Sequence, residues 1–211
     1  MKSRIKRPAR RGVGRPGGGE DVRGTILATA LRQLEESGSP DQVTVAAIVN
    51  EAGCTPPSLY HYWPKRELLL QEASASGWAQ FRASQGGAVA DQSDPIDRLR
   101  HRGRAYLDFA LAKPALFRVL FLGPATAGSA EPAPETGAAL DDLVADVTAA
   151  MTTGRLRRAD PLITALALWS AMHGVAALWT VTPNLPTDLA RAVGDLAQDA
   201  VLSGLSAQPD A

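Results

Sequence analysis

The segment Val43-Thr-Val-Ala-Ala-Ile-Val-Asn-Glu-Ala-Gly53-Cys-Thr-Pro-Pro-Ser-Leu-Tyr-His-Tyr-Trp63-Pro-Lys-Arg-Glu-Leu-Leu69 decides how the rest of the chain is read. It predicts two short helices across a glycine turn. Thr44 suits the N-cap of the first, whose apolar residues Val45, Ile48 and Val49 fall at helical spacing. Gly53 supplies the free backbone that ends that helix. Thr55 suits the next cap, and Pro56 fits a first helical position, where a missing N–H leaves no bond unmade. Two helices joined by such a turn form the helix-turn-helix pattern, whose second helix enters the major groove of DNA.

Charge agrees with an anionic partner. The 211 residues carry 22 basic and 22 acidic side chains, and 45% are hydrophobic, ample for a packed core. The balance conceals an asymmetry. Lys2, Arg4, Lys6, Arg7, Arg10, Arg11, Arg15 and Arg23 face only Glu20 and Asp21 in the first 23 residues, which leaves 14 basic against 20 acidic residues elsewhere. A cationic end on an acidic body points to one anionic partner held by that end. Residues 1–19 show no apolar periodicity and read as a disordered basic arm. Arg15-Pro16-Gly17 after Arg11-Gly12 resembles the short hooks that lie in A·T-rich minor grooves, so Arg11 and Arg15 are candidate contacts; a solvated tail is the plainer reading. The single cysteine, Cys54, leaves no intramolecular disulfide, and no apolar leader follows the first charges, so a cytoplasmic location is expected.

The remaining pattern is helical throughout. Val22, Ile26, Leu27, Ala30, Leu31 and Leu34 make a stripe from Glu20 to Ser37 that would brace the two-helix motif. A longer helix starts at Lys65-Arg66-Glu67 and is expected to fade at Gly86-Gly87. Asp94-Pro95 starts another, with Ile96, Leu99, Tyr106, Leu107 and Ala110 inward, and Lys113-Pro114 breaks it. Ala115–Phe121 reads as a short apolar helix, and Gly123–Gly137 as a loop. Helix resumes near Leu140 and ends around Gly154, where Arg155, Arg157 and Arg158 would offset its dipole. Asp160-Pro161 caps residues 162–181, and Thr187 or Asp188 caps a last helix. No strand-period segment bounded by hairpin turns occurs, so the fold is expected to be all-α.

Ile26, Ala30, Gly38, Thr44-Val45, Ile48, Ala52-Gly53, Leu59-Tyr60, Tyr62-Trp63, Lys65 and Glu67-Leu68 together resemble the DNA-binding domain of the tetracycline-repressor (TetR) family, over about 47 residues. The resemblance implies a recognition helix over 55–62, and phosphate contacts from Thr44, Tyr60, His61 and Lys65. Each has a plainer alternative: Thr44 as a cap, Tyr60 as a packed ring with a wet hydroxyl, His61 as a solvated polar group. Lys65 sits where its charge opposes a helix dipole, which favours a phosphate nearby. Pro56-Pro57 departs from the family. Pro57 biases Pro56 away from the helical region, so the helix is expected to start one residue late. The prolines can touch a thymine methyl but make no base hydrogen bond, which shifts base readout to Thr55, Ser58 and the arm.

Residues 162–181 contain no formal charge and are long enough to span a bilayer, which raises the alternative of a membrane-tethered DNA binder. Their alanines, threonines, Ser170, His173 and Gly174 make the segment only modestly hydrophobic, and a buried helix with no membrane is the preferred reading. Trp169-Ser-Ala-Met172-His173-Gly174, followed by Leu178, resembles the Trp-His-Gly signature of the C-terminal domain in one TetR subgroup. By that resemblance, residues 162–182 and 188–204 would form a homodimer interface. Trp78, Phe81, Tyr106, Phe109, Phe117, Trp169, Met172 and His173 are candidates to line an effector pocket. His173 fits a buried histidine better than a metal ligand, since no carboxylate lies at ligand spacing on its helix. No catalytic constellation, metal or cofactor is expected. The expected organisation is an arm (1–19), a DNA-binding domain (20–66), a regulatory and dimerisation domain (67–205) and a tail (206–211). The resemblance implies a regulator, by the family's habit a repressor, that leaves its double-stranded operator when a small apolar effector binds.

Overall fold

The computed structural model describes residues 19–122, 134–182 and 184–207. Arg11 and Arg15, nearly all of the arm, the 208–211 tail and most of the expected 123–137 loop lie outside these described residues. Among the described residues nine α-helices run in order: α1 (Gly19–Ser37), α2 (Val45–Ala52), α3 (Pro56–Tyr62), α4 (Arg66–Val89), α5 (Pro95–Ala112), α6 (Pro114–Phe117), α7 (Pro134–Thr152), α8 (Pro161–Val181) and α9 (Thr187–Leu205). The described residues contain no strand, only an isolated bridge between Leu156 and Ser206.

The first three helices and the start of α4 share one core. Ile26, Ala30 and Leu34, four residues apart along α1, meet Ile48 of α2, Leu59 of α3 and Leu69 of α4, all fully buried. Thr44 caps α2 by accepting from the Ala47 N–H at 3.2 Å. Gly53 ends it at φ 65°, a left-handed conformation that a β-carbon would strain. α3 starts at Pro56 and not a residue later. Both prolines lie in the first turn, whose amides have no intrahelical acceptor, and Ser58 and Leu59 close the turn onto the Thr55 carbonyl at 3.0 and 3.2 Å. Thr55 holds the cap position without capping; its hydroxyl bonds to that of Ser58 at 3.0 Å.

Three further boundaries differ from the sequence expectation. α4 continues past Gly86-Gly87, because Gln85 and Val89 on either side are buried against the body. Two helical glycines cost about 1 kcal/mol each, less than docking the last turn recovers. α7 begins at Pro134, six residues before Leu140; proline suits a first turn, and the Ala-Gly composition hid the helix. α9 begins at Thr187, so neither Thr187 nor Asp188 is its cap; Pro186 holds that position and its carbonyl accepts from the Trp179 indole at 3.2 Å.

α5 is the central helix of the larger body and packs on α4, α7, α8 and α9. Asp94 caps it, accepting from the Ile96 and Asp97 amides at 2.8 and 3.2 Å. Arg155 does not sit free to offset the α7 dipole but pairs with the Asp94 carboxylate. After α6 the chain widens into a π turn at Arg118–Leu122. This segment joins the two cores: Val119 packs on the N-terminal cluster, and Phe121 on the cluster of the larger body. Gly38 makes the junction possible. At φ 63° it lies so near α6 that a β-carbon would meet the Arg118 guanidinium at 2.9 Å and Ala115 at 3.5 Å.

α8 buries Thr164, Ala165, Leu168, Met172, Val175, Ala176 and Trp179 against its neighbours. Its length and apolarity satisfy a membrane span by composition. A lipid-embedded helix would have to leave this core, so the packing does not favour the tethered alternative.

Candidate nucleic-acid interface and internal cleft

α3 points Leu59 into the core, which places Pro57 and His61 on its opposite face with Ser58 and Tyr60 flanking. Tyr60 is 46% exposed, and Thr44, Thr55, Pro56, Pro57, His61 and Lys65 are also exposed, whereas Ser58 is half-buried. His61 meets the Tyr62 ring edge-on at 5.0 Å. Lys65 occupies the N-cap of α4, its carbonyl accepting from Leu68 at 3.2 Å, and its ammonium makes no ion pair among the described residues. The outer surface of the motif therefore offers hydroxyls at Thr44, Thr55 and Tyr60, one imidazole, and one ammonium.

Behind α3 the support is polar as well as apolar. Glu72 accepts both oxygens' worth of Arg23 Nη2, at 2.7 and 2.8 Å, and also the Trp63 indole N–H at 2.8 Å. The Arg23 guanidinium lies over the Trp63 ring at 5.0 Å. Arg23, counted with the basic arm on sequence, thus braces α3 from within. Arg66 donates from Nε to the Val43 carbonyl at 2.7 Å and also reaches the Pro40 carbonyl, fixing the entry to α2.

The larger body holds a partly open cleft between α4, α5, α7, α8 and α9. Five of the eight sequence candidates line it: Trp78, Phe81, Tyr106, Trp169 and Met172. Phe109, Phe117 and His173 do not, although Phe117 and His173 pack just behind, their rings 5.8 Å apart. Phe121 is the aromatic hub that sequence reasoning left out of the candidates. Six ring systems lie within 6.5 Å of it: Trp78, Phe81, Tyr106, Phe117, Trp169 and His173. The Tyr106 hydroxyl meets His173 Nδ1 at 2.7 Å. Burial raises the Tyr106 pKa, so the phenol keeps its proton, and burial lowers the pKa of His173.

Polar wall residues were missed too. Arg102 and Gln198 lie on otherwise buried stripes of α5 and α9, in register with Leu99 and Tyr106 and with Ala190 and Leu202. A lone polar residue on an apolar stripe was the signal available. Gly103 lets Gln198 lie against α5, since a β-carbon there would come within 2.3 Å of the Gln198 amide.

Two family models match the chain. Residues 26–73 match "Bacterial regulatory proteins, tetR family", and residues 99–201 match "Tetracyclin repressor-like, C-terminal domain". No protein among curated sequences matches. Among solved structures, a protein of unknown function from Rhodococcus sp. RHA1 is 26% identical with a TM-score of 0.75, over 96% of this chain and 100% of its own. A TetR-family transcriptional regulator from Pectobacterium atrosepticum is 24% identical with a TM-score of 0.71, over 91% and 97%. AibR, solved with isovaleryl coenzyme A and operator DNA, is 21% identical with a TM-score of 0.63, over 89% and 100%.

Proposed function

The chain belongs to the TetR family and is a helix-turn-helix DNA-binding transcription regulator, and from that premise we propose that it is a homodimeric repressor released from its operator by a small apolar effector in the internal cleft. The observation that carries the DNA half is α3. Its exposed face is unoccupied by the protein, while Leu59, Trp63 and the Arg23–Glu72 pair hold it rigidly from behind. Thr44, Tyr60, His61 and Lys65 are the proposed phosphate contacts. Thr55, Pro56, Pro57 and Ser58 would face base edges, and Arg11 and Arg15 would reach the adjoining backbone or minor groove.

Dimerisation is supported by the surface of the last two helices. Of the 11 large hydrophobic side chains left exposed among the described residues, eight lie between Leu162 and Leu196, with Ile163 at 68%, Val181 at 71% and Leu196 at 70%. Concentration on α8, α9 and the turn between them is what a helix-pair interface needs. Two copies joined there would set their α3 helices for successive major grooves, about 34 Å apart.

The π turn supports the coupling between effector and DNA. Phe121 forms part of the cleft wall, while Val119 of the same turn packs on the N-terminal core, Arg118 lies beside Gly38, and α6 just before it packs on α1. A ligand that displaces Phe121 moves the turn, and the turn carries α1–α3 with it. AibR, solved with isovaleryl coenzyme A and operator DNA, is a protein of the same fold that holds both a small molecule and DNA. The Trp-His-Gly reading of residues 169–174 stays part of this proposal, supported by the Trp169 and His173 rings 5.9 Å apart. A cytoplasmic location follows from the proposed function.

Fluorescence titration onto DNA flanking its own gene, at several salt concentrations, tests the reading. Specific binding that weakens steeply with salt is expected, with a shallower slope once residues 2–15 are deleted. An unchanged slope would remove Arg11 and Arg15 from the interface, and an absence of specific sites in genome-wide selection would contradict the regulator itself.

A further inference from the structure

The cleft is taken here as the effector site proposed above, and its polar groups narrow what it accepts. Arg102 enters the wall from α5 with its side chain nine-tenths buried. Its Nε and Nη2 both donate to Asp146 Oδ2, at 2.9 and 2.6 Å, so Nη1 has no protein partner. Every fully enclosed side-chain nitrogen or oxygen among the described residues does have a partner. Nη1 therefore stands open, and the space that Arg102 lines is the cleft.

The charges around it do not cancel. Asp146 accepts from Arg98 Nε on its other oxygen at 2.8 Å, so two guanidinium groups share one buried carboxylate. The other charged and amide side chains of the wall each have a partner. Arg82 and Asp142 pair with each other at 3.0 Å, both partly exposed. Gln85 is turned so that its amide bridges the Arg102 carbonyl and the Tyr106 N–H of α5. The Tyr106 hydroxyl is held by His173, and Gln198 donates to the Leu99 carbonyl at 2.7 Å, leaving one N–H and the oxygen of a neutral amide. Arg102 Nη1 is thus the buried cationic donor of a wall rich in aromatic rings, while the remaining N–H groups of Arg82 lie on its exposed side.

We infer that the cleft selects an arylalkyl monocarboxylate, its ring among Trp78, Phe81, Phe121 and Trp169 and its carboxylate on Nη1 of Arg102. A neutral acceptor would satisfy the open N–H groups but leave the surplus charge, whereas a carboxylate answers both. A dianion such as a phosphate monoester would bring a second charge that no buried wall group matches. An ammonium would meet like charge.

Three probes with one body and different heads test this on the intact protein: 3-phenylpropionate, 3-phenylpropan-1-ol and 3-phenylpropylamine, titrated by calorimetry near neutral pH. The acid is expected to bind at least about tenfold more tightly than the alcohol, and the amine not at all. In Arg102→Gln the acid's advantage should fall below about threefold while the alcohol keeps its affinity. Should that variant fail to fold, Arg102→Lys keeps the charge but loses the fork, and the acid's advantage should shrink without vanishing. Equal binding of acid and alcohol by the natural protein, or equal weakening of both in Arg102→Gln, would overturn the role of Arg102 and leave the cleft as a binding site. Binding of none of the three would overturn both.

Discussion

At the scale of single residues, the pair Tyr106–His173 shows how burial fixes protonation. The phenol and Nδ1 lie 2.7 Å apart and share one hydrogen bond, with the phenol keeping its proton. Burial lowers the His173 pKa below its ordinary 6.5. The unfolded chain then binds more protons than the folded one as pH falls through that value, so folding stability drops toward acid. Between pH of about 7 and about 5, His173→Gln, which keeps an acceptor for Tyr106 but cannot titrate, should lose less stability than the natural protein. Denaturant midpoints across that range read the difference, and parallel curves would show that His173 does not contribute. Residue roles were the least legible part of the sequence. Thr44 capped as its position implied, but Thr55 turned its hydroxyl to Ser58, and Arg23 left the basic arm to brace Trp63. Phe121 became prominent only through neighbours from distant helices, which no local pattern encodes, and Arg102 was marked in the sequence only by its place on an apolar stripe.

Among the elements, the motif from Val43 to Leu69 was legible because its signals are local: a cap, a left-handed glycine and prolines in a first turn. Boundaries set by tertiary packing were not. α4 ignores its glycines because Gln85 and Val89 dock on the body, and α7 starts among residues whose composition suggested a loop. This gives a direct test of α4. Gly86 and Gly87 are exposed within the helix, and a β-carbon at either meets nothing within 4 Å. Replacing both by alanine should stabilise the protein by about 1 to 2 kcal/mol, by removing backbone freedom from the unfolded chain. A lower unfolding midpoint would mean that α4 ends before Gly86. Gly38 is the opposite case, where a positive φ and the Arg118 contact make alanine destabilising.

For the whole molecule, the account joins three regions: α3 on the outside, the cleft inside, and the apolar faces of α8 and α9. The all-α architecture was readable from periodicity, whereas the cleft and the π turn that connects it to α1 required the assembled fold. Ile163→Glu together with Leu196→Glu places charge on the proposed interface without touching a buried core. Sedimentation should then show a folded monomer in place of a dimer, with operator affinity reduced by about two orders of magnitude as the paired grooves are lost. A natural protein that sediments as a monomer would remove the dimer from the account. The central claim is that α3 reads DNA, and operator affinity of a Pro57→Glu, His61→Glu double variant measures it most directly. Both residues are exposed on the face opposite Leu59, so the thermal midpoint should stay unchanged while affinity falls about 100-fold or more. Affinity within about threefold of the natural protein, at the same salt, would contradict it.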